Sequence, residues 1–313
     1  MKPFRLPLVK FPPDALTEII RWLTPQRLAS LIDVTDLKAD TQEPKIHEMV
    51  RWATEHGFYS ICVNPVEVDL LPRLLQGSGV RECYVIDFPL GKLPIALKAH
   101  QAAQVVSQSR TLRGEGPGWV ELDMVINVGR FKQNPDYTRQ EIAAVVEAAD
   151  GEHVKVIIRS SELVDEEITL VCQIAKEAGA HFVKNSTGME AFGATPDHIR
   201  LMREAVGSDL GVKAAGGIRD AMAVVRLIYA GALDPALRTP ERFRIGTSSP
   251  LRILSTLSDL QQDPEAAAQA EIVPCTVCPS LHADKLRPEI REFHLQRCHQ
   301  CPYLAYREDL SPA

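Results

Sequence analysis

Three charged residues interrupt apolar runs that are typical of buried strands. Asp123 lies in "ELDMVINVG", Lys184 in "HFVKNSTG" and Lys213 in "GVKAAGGI". An ammonium group loses its hydration when it is buried, so a lysine in such a run needs a compensating interaction or a function. A structural ion pair would account for one lysine and one aspartate, but it leaves the second lysine unexplained.

These three residue types together suggest chemistry at a carbonyl carbon. Two ammonium groups close together in a low dielectric lower the pKa of at least one of them. A neutral lysine is a nucleophile toward carbonyls and can form a Schiff base. A nearby carboxylate can relay protons to and from the carbinolamine and the enamine. If their strands are neighbours, two lysines and one acid predict carbon–carbon bond chemistry through an imine.

A second group of reactive residues lies near the C-terminus. Four of the seven cysteines form two CxxC pairs, which are Cys275 with Cys278 and Cys298 with Cys301. In a reducing compartment this pattern favours a metal over disulfides. Four thiolates at this spacing fit a closed, structural zinc site with no open position for catalysis. An iron–sulfur cluster, a site that includes a nearby histidine and a segment without metal are the alternatives.

The composition argues against two classes of partner. The chain has 313 residues, of which 45% are hydrophobic and 24% charged, with a net charge of -6 and a pI near 5.9. This acidic balance disfavours a general affinity for nucleic acid or for anionic membranes. No stretch approaches the roughly 20 apolar residues that span a bilayer, and the start of the chain lacks the apolar run of a signal peptide. We expect a cytoplasmic protein.

Eight short apolar runs alternate with amphipathic, helix-like segments. The runs are "SLIDV", "YSICVNP", "ECYVIDFP", "WVELDMVINV", "HVKVIIRS", "HFVKNST", "GVKAAGG" and "RFRIGTSS". Their number and spacing predict a (β/α)8 barrel, preceded by one or two helices that end near Ser30. A doubly wound sheet is the main alternative, but no GxGxxG turn follows the first run. In a parallel barrel, polar residues late in a strand point toward the catalytic face.

The chain divides into two predicted parts. Residues 1–260 form the barrel with its N-terminal helices, and residues 261–313 form a polar connector followed by the four-cysteine segment. That segment is too short to build a core by itself, so a metal would have to organise it.

Seven segments, in order over roughly residues 30–255, resemble the 2-deoxyribose-5-phosphate aldolase family. They are "SICVNP", "VIDFPLG", "ELDMVINVG", "VKVIIRSSELVDEEI", "VKNSTG", "VKAAGGIRD" and "RIGTSS". The resemblance implies a class I aldolase on a (β/α)8 barrel that needs no metal for catalysis. Such enzymes reversibly cleave 2-deoxy-D-ribose 5-phosphate to acetaldehyde and D-glyceraldehyde 3-phosphate.

The resemblance also implies a role for individual residues. Lys184 matches the Schiff-base lysine, Lys213 the second lysine that activates it, and Asp123 the acid of the proton relay. The implied substrate-binding residues are Asp33, Thr35, Cys62, Lys155, Thr187, Gly216, Gly217, Ser248 and Ser249. The glycine pair and the serine pair would hold the phosphate, although they could also be a turn and a helix N-cap. Lys155 is either a substrate contact or a member of a core ion pair.

Five residues depart from those usual in the family, namely Val34, Asp36, Asn185, Ala215 and Met189. They motivate an alternative, an imine-forming aldolase for a different aldehyde or sugar phosphate. An alternative of another class is a weakly active barrel whose zinc segment binds a protein or a nucleic acid. For the aldolase we expect a homo-oligomer, either a dimer or a tetramer.

Overall fold

Eight short strands form a closed parallel barrel in the computed structural model, which describes residues 11–269. The strands are β1 Ile32–Thr35, β2 Ser60–Val63, β3 Arg81–Ile86, β4 Val120–Val125, β5 His153–Ile157, β6 Phe182–Lys184, β7 Gly211–Ala215 and β8 Phe243–Thr247. Each strand pairs with the next one in the chain, and β8 pairs with β1. Every strand overlaps one of the apolar runs, so the predicted (β/α)8 architecture is confirmed.

Helices connect the strands and cover the outside of the barrel. They are α1 Pro13–Trp22, α2 Pro25–Ser30, α3 Glu43–His56, α4 Leu71–Leu75, α5 Ile95–Arg113, α6 Val128–Gln133, α7 Pro135–Ala148, α8 Asp165–Glu177, α9 Pro196–Val206, α10 Ala221–Gly231, α11 Pro250–Gln262 and α12 Pro264–Gln269. The first two confirm the helices predicted before Ser30. Within the described part of the chain, no helix has the length and apolar character needed to cross a membrane.

Local sequence signals explain where these helices begin and end. Helix α3 stops at Gly57, whose φ of 73° lies in the left-handed region and whose N–H donates to the carbonyl of Ala53. Glycine adopts that conformation without steric cost, so it ends helices efficiently. Helix α12 lies in the predicted connector and packs against α1. The connector therefore begins as an ordered part of the outer helical layer.

The two faces of each strand meet different surroundings, because successive side chains point in opposite directions. On β4, Val120, Leu122 and Met124 belong to the apolar core between strands and helices. Glu121 and Asp123 alternate with them and point into the barrel, where both are buried. On this strand the apolar side chains thus face the helices, and the charged side chains face the barrel interior.

Strand register brings the reactive residues to the same level of the barrel. Lys184 on β6 pairs with Lys213 on β7, and Asp123 on β4 pairs with Lys155 on β5. The two predicted lysines therefore lie on neighbouring strands. Asp123 reaches them across the interior rather than along the sheet.

Close packing at the start of β7 also constrains this level. Gly211 is the register partner of Phe182, and a Cβ added to Gly211 would lie 2.1 Å from Cε1 of the Phe182 ring. The ring is 1% exposed, so it has little room to move away. A side chain at position 211 would therefore strain the strand pair that carries Lys184 and Lys213.

We predict that Gly211→Ala lowers the free energy of unfolding by about 1–3 kcal/mol, which is the usual cost of overpacking a core. Urea unfolding followed by circular dichroism would measure the change. Gly116→Ala is the matched control, because nothing lies within 4 Å of a Cβ added there. Equal free energies of unfolding for the two variants would contradict this prediction and show that the Phe182 ring moves aside for the extra methyl group.

Candidate active site

Asp123 is the residue at which the buried lysines meet. Its Oδ2 accepts hydrogen bonds from Nζ of Lys184 at 2.7 Å and from Nζ of Lys213 at 2.8 Å. Its Oδ1 accepts one from Nζ of Lys155 at 2.8 Å. All four side chains are buried. The structure therefore brings together the three residues that the sequence selects for imine chemistry, with Lys155 as a fourth member.

The surroundings of Asp123 keep its carboxyl group ionised. Burial alone would raise the pKa of Asp123, but the nearby basic side chains, Lys155 first and then Lys184 and Lys213, outweigh burial and hold that pKa well below its ordinary value. A carboxylate that accepts several charge-assisted hydrogen bonds is stabilised in its charged form. Asp123 thus rests as an anion, ready to accept a proton when one of its hydrogen bonds is broken.

Two of the lysines contact further carboxylates deeper in the barrel. Nζ of Lys155 lies 2.8 Å from Oε2 of Glu121, and Nζ of Lys213 lies 2.6 Å from Oδ2 of Asp33. Arg244 joins these two acids, with Nη1 2.5 Å from Oδ1 of Asp33 and Nη2 2.8 Å from Oε1 of Glu121. Six alternating charges therefore close a ring, here called the charge ring. In order around it they are Lys213, Asp123, Lys155, Glu121, Arg244 and Asp33.

Mutual attraction keeps the members of the charge ring ionised despite their burial. Burial would lower the pKa of Lys213, but Asp123 and Asp33 raise it above its ordinary value. Burial would raise the pKa of Glu121, but Arg244 and Lys155 hold it well below its ordinary value. Each charge in the ring is stable because two opposite charges face it.

Lys184 differs from the ring members in two respects. Among residues 11–269, Asp123 is the one carboxylate with which Lys184 forms an ion pair. Lys184 also lines a cavity of about 250 Å³ at the carboxyl ends of the strands, whereas none of the six ring residues lies among the described residues lining that cavity. The amine of Lys184 is thus the basic group of this cluster that an incoming molecule can reach.

Loops after four strands build the remaining walls of the cavity. They contribute Thr35 and Lys38 after β1, Thr187 to Met189 after β6, Gly216 to Arg219 after β7 and Gly246 to Ser248 at the end of β8. At Gly216, where φ is 90°, an added Cβ would lie 2.8 Å from Cα of Gly193 and 3.3 Å from Cα of Gly188. Glycine is therefore required for this loop to close against the β6 loop.

The predicted phosphate-binding residues lie mainly at one end of the cavity. Gly216, Gly217 and Ser248 line it, and helix α11 begins at Pro250 directly behind Ser248. A helix N-terminus attracts anions through its unpaired N–H groups and its dipole. Ser249 is not among the described lining residues, and its N–H donates to Oγ1 of Thr247 at 2.9 Å.

Two basic residues at this cavity were not selected from the sequence. Lys38 and Arg219 are both exposed and both line it. Each lies in a loop that follows a strand at the catalytic face, and Arg219 comes two residues after the glycine pair. That position was the available signal, because charges that follow a barrel strand face the active site.

The other predicted substrate contacts lie at different depths. Thr35 and Thr187 line the cavity, whereas Asp33 and Lys155 belong to the charge ring. Cys62 is also buried, with Sγ 3.9 Å from Oδ2 of Asp123. For Lys155 the structure supports the ion-pair alternative. Direct contact of Asp33, Cys62 or Lys155 with a substrate stays a prediction.

A cysteine pair adjoins Asp123, with Cys62 near its Oδ2 and Cys83 near its Oδ1. Cys83 donates to Oδ1 of Asp123 at 3.1 Å, and the ligand atoms of Cys62, Cys83 and Asp123 all lie within 4.8 Å of one another. These donors could suit a metal ion, but Lys155 contacts both Cys83 and Asp123. A second cation beside that ammonium group is electrostatically unfavourable. The four cysteines predicted to bind zinc, Cys275, Cys278, Cys298 and Cys301, lie outside the described residues.

A buried glutamate shapes the loop that follows Lys184. The carboxylate of Glu190 accepts hydrogen bonds from the N–H of Thr187 at 3.1 Å, from the N–H of Gly188 at 3.1 Å and from Oγ of Ser186 at 2.6 Å. The side chain of Glu190 is 1% exposed. These hydrogen bonds hold the wall of the cavity next to the amine of Lys184. In the sequence, the available signal for this role was an acid after "NSTGM".

Comparisons with known proteins place these features in a family. The sequence profile described as "DeoC/LacD family aldolase" matches residues 29–239. Deoxyribose-phosphate aldolase 1 of Bacillus licheniformis is 44% identical over 235 residues, which cover 74% of this chain and 97% of that one. The deoxyribose-phosphate aldolase of Clostridium perfringens SM101 is 45% identical over 206 residues, covering 64% of this chain and 88% of that one. The solved tetrameric deoxyribose phosphate aldolase of Aeropyrum pernix is 31% identical, with a TM-score of 0.68 over 79% of this chain and 98% of that one.

We predict that Glu190→Gln loosens the loop after β6, because an amide offers one acceptor oxygen where the carboxylate offers two. Loss of a charge-assisted hydrogen bond of about 1.5–3 kcal/mol should speed amide hydrogen exchange at Thr187 and Gly188 by about tenfold or more. Mass spectrometry after proteolysis would measure that exchange. Glu204→Gln is the control, since Glu204 is an exposed member of a surface ion pair on α9. Unchanged exchange in Glu190→Gln would mean that the loop does not depend on the carboxylate.

Proposed function

Since the chain belongs to the DeoC/LacD family of aldolases, we propose that it reversibly cleaves 2-deoxy-D-ribose 5-phosphate through an imine at Lys184. The products are acetaldehyde and D-glyceraldehyde 3-phosphate. Deoxyribose-phosphate aldolases at 42–45% identity support this substrate. One structural observation carries the mechanism: Lys184 lines the cavity and, within the part of the chain that the structure describes, has one ionic partner, Asp123.

Charge balance explains how the amine of Lys184 can be nucleophilic. The charge ring contains three cations and three anions, so it is balanced without Lys184. A protonated Lys184 adds one positive charge beside Lys213, which stays charged because its carboxylate partners raise its pKa. A neutral Lys184 avoids that excess charge in a buried site, and a neutral amine attacks carbonyls.

The reaction then follows from the positions of these groups. The neutral Nζ of Lys184 adds to C1 of the open-chain sugar to give a carbinolamine, and protonation of its hydroxyl followed by loss of water gives an iminium ion. A base removes the proton of the C3 hydroxyl, the C2–C3 bond breaks, and its electron pair forms the enamine while D-glyceraldehyde 3-phosphate leaves. Protonation at C2 and hydrolysis release acetaldehyde and restore Lys184. Asp123 is the carboxylate within reach of Lys184, and Lys213 shares the same oxygen, so this pair can relay the protons through water.

The loops after β7 and β8 supply a site suited to the phosphate group. The glycine pair lines the cavity, α11 begins two residues after Ser248, which also lines it, and Lys38 and Arg219 add positive charge. A dianionic phosphate would be attracted to this end of the cavity.

We predict that borohydride reduction in the presence of acetaldehyde adds one ethyl group at Lys184, because reduction traps the imine. Peptide mass spectrometry would locate the adduct. Lys98 is an internal control, since it is equally buried but contacts Glu141 at 2.7 Å away from this cavity. Lys184→Ala should abolish the adduct and lower kcat for deoxyribose 5-phosphate cleavage on the order of 10³-fold or more. An unmodified Lys184 would refute the mechanism.

The same assay separates the proposal from its nearest alternative. An adduct at Lys184 without cleavage of deoxyribose 5-phosphate would indicate an imine-forming aldolase for another aldehyde. Met189 motivates that alternative, because it is 54% exposed and lines the cavity where it can contact an acceptor. No observation within residues 11–269 favours a weakly active barrel that serves as a binding module.

We further propose that Cys275, Cys278, Cys298 and Cys301 bind one structural zinc ion, on the basis of their spacing. Elemental analysis should find about one zinc per intact chain and none after all four cysteines are replaced by serine. Trapping at Lys184 should persist in that variant, since imine chemistry requires no metal. Equal zinc content in both proteins would contradict the proposal.

The cytoplasmic location and the homo-oligomeric state also stay predictions. Light scattering would measure the molar mass of the protein in solution and so test the homo-oligomeric state.

A further inference from the structure

Arg244 closes the charge ring one layer away from the cavity. It lies on β8 two residues before Gly246, which lines the cavity, and its own side chain is fully buried. The mechanism proposed above assigns it no step. A fully buried guanidinium that touches no substrate therefore calls for another explanation.

The contacts of Arg244 fix both its position and its orientation. Besides its ion pairs with Asp33 and Glu121, its Nε donates to the carbonyl oxygen of Pro240 at 2.5 Å. Its guanidinium plane lies 3.4 Å from the ring centroid of Tyr59. A planar fork that pairs two carboxylates while stacking on an aromatic ring is a geometry that arginine provides and lysine does not.

We propose that Arg244 and Glu121 are positioning residues that set the charge of the buried cluster with opposite effects on Lys184: Arg244 favours its neutral amine, and Glu121 favours its protonated form. This inference rests on the proposed imine mechanism. Neither residue reaches the cavity, so they act through Lys155, Lys213 and Asp123. Arg244 supplies the third positive charge of the ring, and Glu121 supplies the third negative charge.

Every strand contributes a titratable group to this cluster. The groups are Asp33 from β1, Cys62 from β2, Cys83 from β3, Glu121 and Asp123 from β4, Lys155 from β5, Lys184 from β6, Lys213 from β7 and Arg244 from β8. At its edge, Nδ1 of His153 lies 3.6 Å from Oε1 of Glu121, and the ring of Tyr59 covers Arg244. Burial raises the pKa of Cys83, which stays a thiol, and a hydrogen bond with Cys83 lowers the pKa of Cys62. Cys62 is thus a further group whose loss of a proton could change the net charge of the cluster.

Removing one charge from the ring should change the protonation of Lys184 with a defined sign. Arg244→Gln leaves Asp33 and Glu121 with one fewer cation, and a proton retained on Lys184 restores the balance. Glu121→Gln removes an anion, so Lys184 releases its proton more readily. Arg244→Lys keeps the positive charge but removes the planar guanidinium group, which pairs with both Asp33 and Glu121 and lies over the Tyr59 ring.

The experiment measures the rate of imine trapping at Lys184 against pH, with acetaldehyde as the carbonyl and cyanoborohydride as the reductant. Relative to the unsubstituted chain, the midpoint should move to higher pH by about one unit in Arg244→Gln and to lower pH by a similar amount in Glu121→Gln. Arg244→Lys should return the midpoint toward that of the unsubstituted chain. At a fixed pH below the midpoint, a shift of one unit is about a tenfold change in rate.

A matched control distinguishes the effect of changing the charge of the ring from the general effect of losing a buried arginine. Arg113 is 1% exposed and pairs with Glu82 at 2.9 Å between α5 and β3, outside the charge ring. Arg113→Gln should lower the melting temperature without moving the midpoint. The Arg244→Gln shift should also persist on a Cys62→Ser background, which removes the thiol as the titrating group.

The outcomes distinguish this inference from the mechanism on which it rests. Absence of trapping at Lys184 in the unsubstituted chain would refute the imine mechanism itself. Normal trapping with superimposable profiles, with shifts of equal sign, or with a shift that vanishes on the Cys62→Ser background would overturn the inference alone. If Arg244→Gln fails to fold by circular dichroism, Glu121→Gln decides: an acidic shift supports the inference and an unchanged midpoint refutes it.

Discussion

The structure depends on one carboxylate, Asp123, that accepts hydrogen bonds from the amino groups of three lysines. A buried ion of either sign is destabilising on its own, because the desolvation cost of each charge is several kcal/mol or more. The cost is offset here only because the charges alternate around a closed ring, so that each one faces two of opposite sign. Lys184 attaches to this ring as an additional amine. Under the proposed mechanism, the nucleophilicity of Lys184 and the stability of the barrel interior therefore have the same electrostatic origin.

On the same strands, one face supplies hydrophobic burial and the other holds the buried charges. On β4 the residues that face the helices are apolar and supply the hydrophobic core, while Glu121 and Asp123 face inward and carry charge. Most barrels of this kind fill their interior with branched apolar side chains. Here the outer layer provides the hydrophobic burial, which leaves the inner layer able to hold a charged catalytic cluster.

Much of this could be predicted from the sequence. The eight strands follow from apolar runs, and Lys184 and Lys213 stand out because a charge in such a run is costly. Arg244 did not stand out, although it also interrupts a strand. Its run, "RFRIGTSS", begins with another arginine and reads as the polar end of a loop. Alternation along one strand shows which residues point inward, but which of them meet across the barrel depends on how all eight strands close. Glu190 was also missed, because it accepts hydrogen bonds from the backbone N–H groups of Thr187 and Gly188. Every residue type except proline has such a group, so the sequence does not indicate which of them a side chain will contact.

The contact between Arg244 and Asp33 joins residues 211 positions apart, from the last strand to the first. A ribosome exposes β8 late, so a nascent or partly folded chain already carries Lys184 without the guanidinium that completes the ring. Long-range contacts of this kind form late in folding, since they close large loops. Under our proposals, chemical competence therefore arises with barrel closure rather than before it, and the nucleophile matures only in the finished protein.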